Sequence, residues 1–180
     1  MRQVLFSFFL LSSLLIPGRA TLADDEIVRH RLGDLTITDP WAKSAIGEHN
    51  VKLFFEFQNH GDRDDQLLAF RSSINHGENR IIAVEAADGK RALSDIPALI
   101  LPAGGHTFEL SEIGYFLQLD GLDRPILMGS TFTVELVFER AGTIEMAFSG
   151  RFHSPKLTRR IRAAAERGDI EALRALRPAP

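Results

Sequence analysis

The stretch Thr131-Phe-Thr-Val-Glu-Leu-Val-Phe-Glu139 alternates apolar and polar residues with a period of two. After the connection Ala141-Gly142, the stretch Thr143-Ile-Glu-Met-Ala-Phe-Ser149 repeats the alternation. This period is typical of antiparallel strands that bury one face and expose the other. The sequence therefore predicts a β-hairpin. Its inward-facing side chains are expected to be Phe132, Val134, Leu136, Phe138, Ile144, Met146 and Phe148.

Strand-like segments continue towards the N-terminus of this hairpin. The clearest is Val51–Asn59, in which Leu53, Phe55 and Phe57 fall on one face. The other segments are bounded by Gly, Pro, Asn or Asp, which are typical of turns. About eight short strands at intervals of roughly 8–12 residues predict an all-β sandwich or barrel. The remaining predicted strands are Leu35–Thr38, Gln66–Ser72, Arg80–Ala86, His106–Leu110 and Gly114–Asp120.

The pattern changes after His153, where residues 154–180 carry apolar side chains at helical spacing. Gly168 interrupts this spacing, and Asp169 can cap a second short helix. The tail has seven basic and three acidic residues, a net charge of +4, whereas residues 24–153 have 12 basic and 21 acidic residues, a net charge of −9. The opposite charges favour docking of the tail on its own domain or binding of a protein partner, and the sequence does not decide between them. Contact with an anionic membrane ranks lower, because the three acids offset the basic residues.

The N-terminus predicts a signal peptide. An apolar run of thirteen residues, 4–16, follows Arg2. Small residues behind this run place the cleavage site after Ala20 or after Ala23. This run is shorter than the roughly 20 residues of a membrane-spanning helix. A basic start, a short apolar run and a small-residue cleavage site are typical of secreted precursors. We therefore expect residues 1–23 to be removed and the protein to be exported to the periplasm.

The exported chain is expected to hold one β domain, residues 24–153, followed by the basic helical tail, residues 154–180. The sequence contains no cysteine. This excludes disulfides, thiol catalysis, thiolate metal sites and lipid attachment to an N-terminal cysteine.

Several function classes lack support in the sequence. There is no Gly-rich phosphate loop, no G-x-S-x-G, no H-E-x-x-H and no dinucleotide fingerprint, so no enzymatic activity is expected. The acidic domain does not have the strongly basic character of a nucleic-acid binder. Bulk disorder is also excluded, since 44% of the residues are hydrophobic.

Five segments between Leu35 and Phe148 carry a more specific signal through their order and spacing. They are Ile37–Ala42, Phe55–Leu67, Leu101–Gly105, Gly114–Leu122 and Gly129–Glu139. Together, behind a signal peptide, these segments resemble the periplasmic copper chaperone family PCu(A)C. The resemblance implies a cupredoxin-like antiparallel β-sandwich with Greek-key topology. It also implies copper as a ligand and a copper-donating or copper-receiving periplasmic protein as a partner.

The ligands that this resemblance implies are not matched in the sequence. Family members bind Cu(I) with two His and two Met, in an H-x-x-M-like segment and a later G-Y-H-x-M-like segment. Soft thioether sulfur favours Cu(I), and imidazole completes the set. Here Phe116 stands at the later His position, Gln118 at the later Met position and Val84 near the earlier His position. We therefore expect no metal site at the family positions.

Other histidines are the remaining candidates for metal binding. Among them, His76 and His106 flank loops near the strands that would carry the site. Isolated histidines are more often surface or hydrogen-bonded residues than ligands, although imidazole is the commonest metal ligand.

Alternation along Gly114–Asp120 predicts that Tyr115, Leu117 and Leu119 face the core. Phe116 and Gln118 would then lie on the opposite face. On this interpretation, replacing both by the family's His and Met disturbs no core position.

These observations predict an exported copper-chaperone-family protein, acting in copper trafficking or respiratory oxidase metallation with divergent or lost copper ligands. The alternative is a non-metal periplasmic protein-interaction module built on the same sandwich, because a fold alone does not determine function.

Overall fold

A computed structural model describes residues 26–44, 48–87 and 90–176 of the 180-residue chain. The predicted signal peptide lies outside the described residues. Within these ranges the chain forms eleven strands followed by two helices. The strands are β1 (Arg29–Leu32), β2 (Leu35–Lys43), β3 (Asn50–Asn59), β4 (Asp65–Ser72), β5 (Asn79–Ala87), β6 (Lys90–Ile96), β7 (Leu99–Leu101), β8 (Thr107–Glu109), β9 (Tyr115–Asp120), β10 (Thr131–Phe138) and β11 (Thr143–Arg151). The helices are α1 (Pro155–Glu166) and α2 (Ile170–Ala175).

The strands form one continuous sheet path in the order β6-β5-β9-β3-β2-β11-β10-β4-β7, with β1 added to β2 and β8 added to β3. The β11–β2 pair is parallel, and the other pairs are antiparallel. The path folds over so that β7, at one end, also approaches β3 near the middle. The predicted all-β sandwich is confirmed.

The hairpin forms as the alternation predicts. Residues of β10 and β11 pair in register from Thr131 opposite Ser149 to Val137 opposite Thr143. Gly142 has φ of +95°, a backbone conformation that glycine adopts without steric cost. The four inward-facing side chains of β10 are at most 7% exposed, as are Met146 and Phe148 on β11.

The strands that the sequence did not predict are β1, β6 and β7. Strand β6 is almost entirely exposed, and β7 has only three residues. Neither strand has the alternation from which buried strands are recognised. Strand β2 also runs further than predicted, to Lys43, because its pairing with β3 resumes at Trp41 after an irregularity.

The expected burial along β9 is wrong in two respects. Leu117 and Leu119 are buried in the core as predicted, whereas Tyr115 is 46% exposed. Phe116, expected away from the core, is only 1% exposed. The reason is that β3 and β9 are covered on both faces here: Phe54, on the same face as Phe116, is also 1% exposed.

The C-terminal tail forms the two predicted helices. The Ser154 hydroxyl accepts a hydrogen bond from the Leu157 amide at the start of α1. The Asp169 carboxylate likewise accepts from the Ala172 amide at the start of α2. These are standard N-terminal caps, and they satisfy amides that the helix itself leaves free.

Helix α1 contacts the sandwich through two basic side chains. Lys156 Nζ lies 3.1 Å from Glu56 Oε1 and 3.0 Å from Glu109 Oε2. The hydrogen bonds to Glu109 and Glu56 raise the pKa of Lys156, although burial opposes them. Arg159 donates to Asp39, a carboxylate that is only 6% exposed. Of the two alternatives left open by the sequence, the structure therefore has the tail docked on its own domain.

Asp39 is the most constrained residue of this contact. Its φ is +52°, a left-handed conformation that Asp tolerates better than most residues. Its amide donates to the Val28 carbonyl at 2.8 Å, and its Oδ1 accepts from the Val28 amide at 3.2 Å. Arg159 is thus the cationic partner of a buried carboxylate that the backbone already holds in place.

Replacing Arg159 should therefore destabilise the whole domain. We expect Arg159→Ala to lower the free energy of unfolding by about 2–4 kcal/mol, because it leaves the Asp39 charge buried and unpaired. Urea denaturation measures the difference. Arg160→Ala, at an exposed position of the same helix, serves as the control and should cost less than about 0.5 kcal/mol. Equal effects of the two variants would contradict docking through Arg159.

Candidate functional site

The three positions expected to carry copper ligands lie on one face of the sheet. Phe116 of β9 pairs with Ile82 of β5, so their side chains share a face. Val84 lies two residues further along β5 and therefore points to the same side. Its amide donates to the Gly114 carbonyl at 2.7 Å, which extends the β5–β9 pairing to this end. We call this surface the Phe116 face.

Aromatic side chains fill the centre of the Phe116 face. Trp41 stacks on Phe54 with ring centroids 4.6 Å apart, and Phe54 lies 6.3 Å from Phe116. Val84 is partly buried and packs against the hydrophobic core. Close packing of this kind leaves little space between side chains. The position at which the resemblance places the later His is therefore occupied by a buried phenyl ring.

A cation lies over this ring. Lys52 Nζ is 4.9 Å from the centroid of Phe116, within the range of a cation–π interaction. Glu112 Oε1 lies 3.6 Å from Lys52 Nζ and 2.6 Å from Lys43 Nζ, so the carboxylate bridges the two ammonium groups. Burial raises the pKa of Glu112, but the hydrogen bonds and charges of Lys43 and Lys52 outweigh burial and lower this pKa below its ordinary value. Glu112 is therefore held ionised between two ammonium groups.

Gln118 belongs to a second polar network on the same face. Its Nε2 donates to Asp120 Oδ1 at 2.8 Å, and Arg80 Nε donates to Asp120 Oδ2 at 2.8 Å. Arg80 also lies 3.6 Å from Asp95 of β6. The hydrogen bond that Arg80 donates to Asp120 raises the pKa of Arg80 despite partial desolvation. Gln118 thus orients a carboxylate and offers no soft donor.

These residues do not fit a Cu(I) ion. Cu(I) prefers thioether, thiolate and imidazole donors, whereas the three positions supply an alkyl group, a phenyl ring and an amide. The ammonium group of Lys52 would also repel a cation placed there. In the part of the chain that the structure describes, no group of three or more His, Cys, Asp or Glu residues could hold a metal ion. Two methionines are described: Met146 is buried in the core, and Met128 is exposed in a loop.

The two histidine candidates lie at opposite ends of β3. The His76 amide bonds to the Gly121 carbonyl, next to Asp120, which pairs with Asn50 at the start of β3. His106 adjoins Gly105, whose amide bonds to the carbonyl of Asn59 at the end of β3. Nine residues of extended strand separate these ends by roughly 30 Å.

The structure therefore does not bring His76 and His106 into one site. His76 is exposed, and its Nδ1 lies 2.9 Å from Asp123 Oδ1. A role for either histidine in metal binding remains a separate hypothesis for each residue.

The sequence of residues 35–149 matches the profile of a family described as "Putative lipoprotein LpqE-like". The chain belongs to the LpqE-like family. No curated protein matches this LpqE-like chain in sequence. The family description names a lipoprotein, whereas this sequence contains no cysteine to which a lipid could be attached.

Solved PCuAC structures show the same fold, as the resemblance implies. The apo PCuAC domain from PmoF1 superposes with a TM-score of 0.58 and 23% identity, over 69% of this chain and 98% of that domain. The copper-bound PCuAC domain from PmoF2 superposes with a TM-score of 0.58 and 20% identity, over 69% of this chain and 97% of that domain. The solution structure of CuI-DR1885 from Deinococcus radiodurans superposes with a TM-score of 0.52 and 19% identity, over 63% of this chain and 76% of that chain. Two of these three structures carry copper according to their descriptions.

The sequence did not reveal how the residues at the expected ligand positions are packed. The cluster of Trp41, Phe54 and Phe116 was not predicted, because each aromatic residue lies on a different strand. One signal was present: Phe54 interrupts the alternation of β3 with an extra apolar residue. That interruption is expected where both faces of a strand are buried.

Restoring half of the ligand set that the PCu(A)C resemblance implies should destabilise the LpqE-like chain. The alternation of β9 had instead predicted that these substitutions disturb no core position. Phe116→His with Gln118→Met replaces a fully buried ring by a smaller polar one. We expect a loss of about 2–4 kcal/mol, or a thermal midpoint lower by about 5–15 °C. Gln118→Met alone is the control and should lower the midpoint far less. An unchanged midpoint in the double variant would show that Phe116 is not packed.

The Glu112 bridge predicts a pH-dependent contribution to stability. Because the folded-state pKa of Glu112 is lowered, its contribution is present above the ordinary value of 4.5 and is lost as the pH falls through the folded-state value. We expect Glu112→Gln to cost up to about 1 kcal/mol at pH 7, since these groups are partly exposed. This cost should shrink below about pH 4.5. Urea denaturation across this pH range measures the cost, with Glu145→Gln, at an exposed position of β11, as the control. A cost that persists at pH 3 would contradict the ionic bridge.

Proposed function

We propose that this LpqE-like protein is exported, has the copper-chaperone-type fold and works through protein contacts. We also propose that it does not carry Cu(I) at the position that the PCu(A)C resemblance implies. One observation supports the proposal: the ring of Phe116, which stands where the PCu(A)C resemblance implies a copper ligand, is buried and lies under Lys52. A filled apolar site beneath an ammonium group neither coordinates nor attracts a cation.

Export is the setting that the sequence supports. Residues 1–23 have the composition of a signal peptide. None of the helices in the described ranges has the length and apolar character needed to cross a bilayer. The absence of cysteine also fits an oxidising compartment in which free thiols are a liability. The periplasm is therefore the proposed location.

The proposed partner is a periplasmic protein that donates or receives copper. Support for copper handling comes from the fold, which the LpqE-like chain shares with a copper-bound PCuAC domain. Nucleic acid is disfavoured as a partner by the acidic domain. Membrane contact through the tail is also disfavoured, because Lys156 and Arg159 are already paired with carboxylates of the sandwich. The proposal assigns no catalytic residue and no enzymatic activity.

A second candidate is a protein-interaction module with no role in copper metabolism. The same filled face favours it, since nothing on the Phe116 face requires copper. Deleting the gene in the source bacterium separates the candidates. Lower copper content of the respiratory oxidase during copper limitation would support a role in copper trafficking. Unchanged copper content under the same limitation would favour the non-metal module.

Cu(I) titration against a chromogenic competitor tests the missing site. We expect the exported chain to leave the competitor fully metallated, because both His–Met pairs are absent. The copper-bound PCuAC domain from PmoF2 provides the positive control. Stoichiometric binding that survives the competitor would contradict the proposal. Loss of such binding in His76→Ala or His106→Ala would then locate the replacement ligand.

A further inference from the structure

A concave surface lies on the side of the central strands opposite the Phe116 face, between the two layers of the sandwich. It forms between the β5–β9–β3 part of the sheet and strand β7, with a volume of about 530 Å³. Ligand sites in proteins commonly have volumes of about 300–1,000 Å³. We call this surface the interlayer cleft. Its apolar lining includes Phe57, Ala83, Leu99, Ile100, Phe108 and Tyr115.

The interlayer cleft leaves large apolar side chains open to solvent. Ile100 is 58% exposed, Tyr115 is 46% exposed and Phe108 is 39% exposed. The rings of Phe57 and Phe108 stack with centroids 5.3 Å apart, so Phe108 is held by its neighbour in the core. Exposed apolar residues that line one concave surface mark a binding site more often than scattered ones do.

The charged residues that line the interlayer cleft have one sign. Among the residues that the structure describes, the charged ones in this lining are Glu85 and Glu109, and none is Lys or Arg. Glu109 is paired with Lys156 of α1 at 3.0 Å. The side chain of Glu85 forms no hydrogen bond or ion pair with other residues of the described ranges, and it is exposed. One carboxylate at the cleft therefore lacks a cationic partner.

Aromatic faces add a second preference for positive charge. Phe108 and Tyr115 present π-systems whose negative faces attract cations, and quaternary ammonium ligands are commonly recognised in this way. The carboxylates, the exposed rings and the apolar lining thus favour the same class of ligand. That class is a molecule with an apolar body and one cationic group.

We propose that the interlayer cleft binds a small organic cation, an alkyl- or arylammonium compound, with its apolar body against the apolar lining of the cleft. The ammonium group lies near Glu85 and the rings of Phe108 and Tyr115. This site is distinct from the Phe116 face, because Phe116 and Tyr115 are adjacent residues on opposite faces of β9. The proposal therefore does not depend on whether the protein handles copper.

Two matched probes test the recognition of charge. Titrations of the exported chain with n-octyltrimethylammonium and with octanoate, followed by amide NMR shifts, compare equal chain lengths with opposite charges. We expect the cation to bind at least about tenfold more tightly. Its shifts should be concentrated at residues 83–85, 96–102 and 108–115. Equal affinity for octanoate, or shifts centred elsewhere, would overturn the proposal.

Charge variants sharpen the test, because two of them should act in opposite directions. Glu85→Gln should weaken binding of the cation about threefold to tenfold. Lys156→Gln should strengthen it about twofold to fivefold, because it frees Glu109 and removes a repelling ammonium group. General loosening of the fold would weaken binding in both variants. The control Glu145→Gln, an exposed carboxylate on β11 outside the cleft, should leave affinity unchanged. Weaker binding in Lys156→Gln, or unchanged binding in Glu85→Gln, would overturn the proposal.

Discussion

Burial of Phe116 on the second face of the central strands is the constraint on which the account of this protein depends. Strands β3 and β9 are covered on both sides, by the sandwich core on one and by the cluster of Trp41, Phe54 and Phe116 on the other. A buried aromatic ring contributes a large apolar area to stability. The residue that the PCu(A)C resemblance places at a copper ligand is therefore part of the packing of this domain.

Much of the fold could be predicted from the sequence, and the reasons for the misses are physical. The β10–β11 hairpin was predicted correctly because it buries one face, so period-two alternation reports its structure directly. Strands β6 and β7 were missed because they are short or exposed, and their pairing depends on neighbours distant in sequence. For Phe116, the alternation of β9 gave the correct face but not its burial, since burial depends on Phe54 and Trp41. The expectation of unmatched copper ligands came from residue identity alone and stays a prediction. The interlayer cleft could not be predicted, because its residues come from five segments of the chain.

The acidic sandwich and the basic tail are connected through a few specific contacts rather than through their net charges. Charges on a surface are strongly screened at physiological salt. Arg159 is different, because its partner Asp39 is buried and is held by the backbone of Val28. Lys156 connects the tail to Glu109 at the interlayer cleft. The tail thus covers part of the domain and also sets the charge beside the surface on which we propose binding of an organic cation.

The copper content of the protein purified from its native host tests the central claim most directly. Cells are grown with added copper, the protein is isolated without chelators, and metals are counted by mass spectrometry. We expect far less than one copper atom per chain, because the buried Phe116 ring and Lys52 stand where the PCu(A)C resemblance implies a copper ligand. One copper atom per chain, retained through purification and absent from a variant in which a single histidine is replaced, would contradict it.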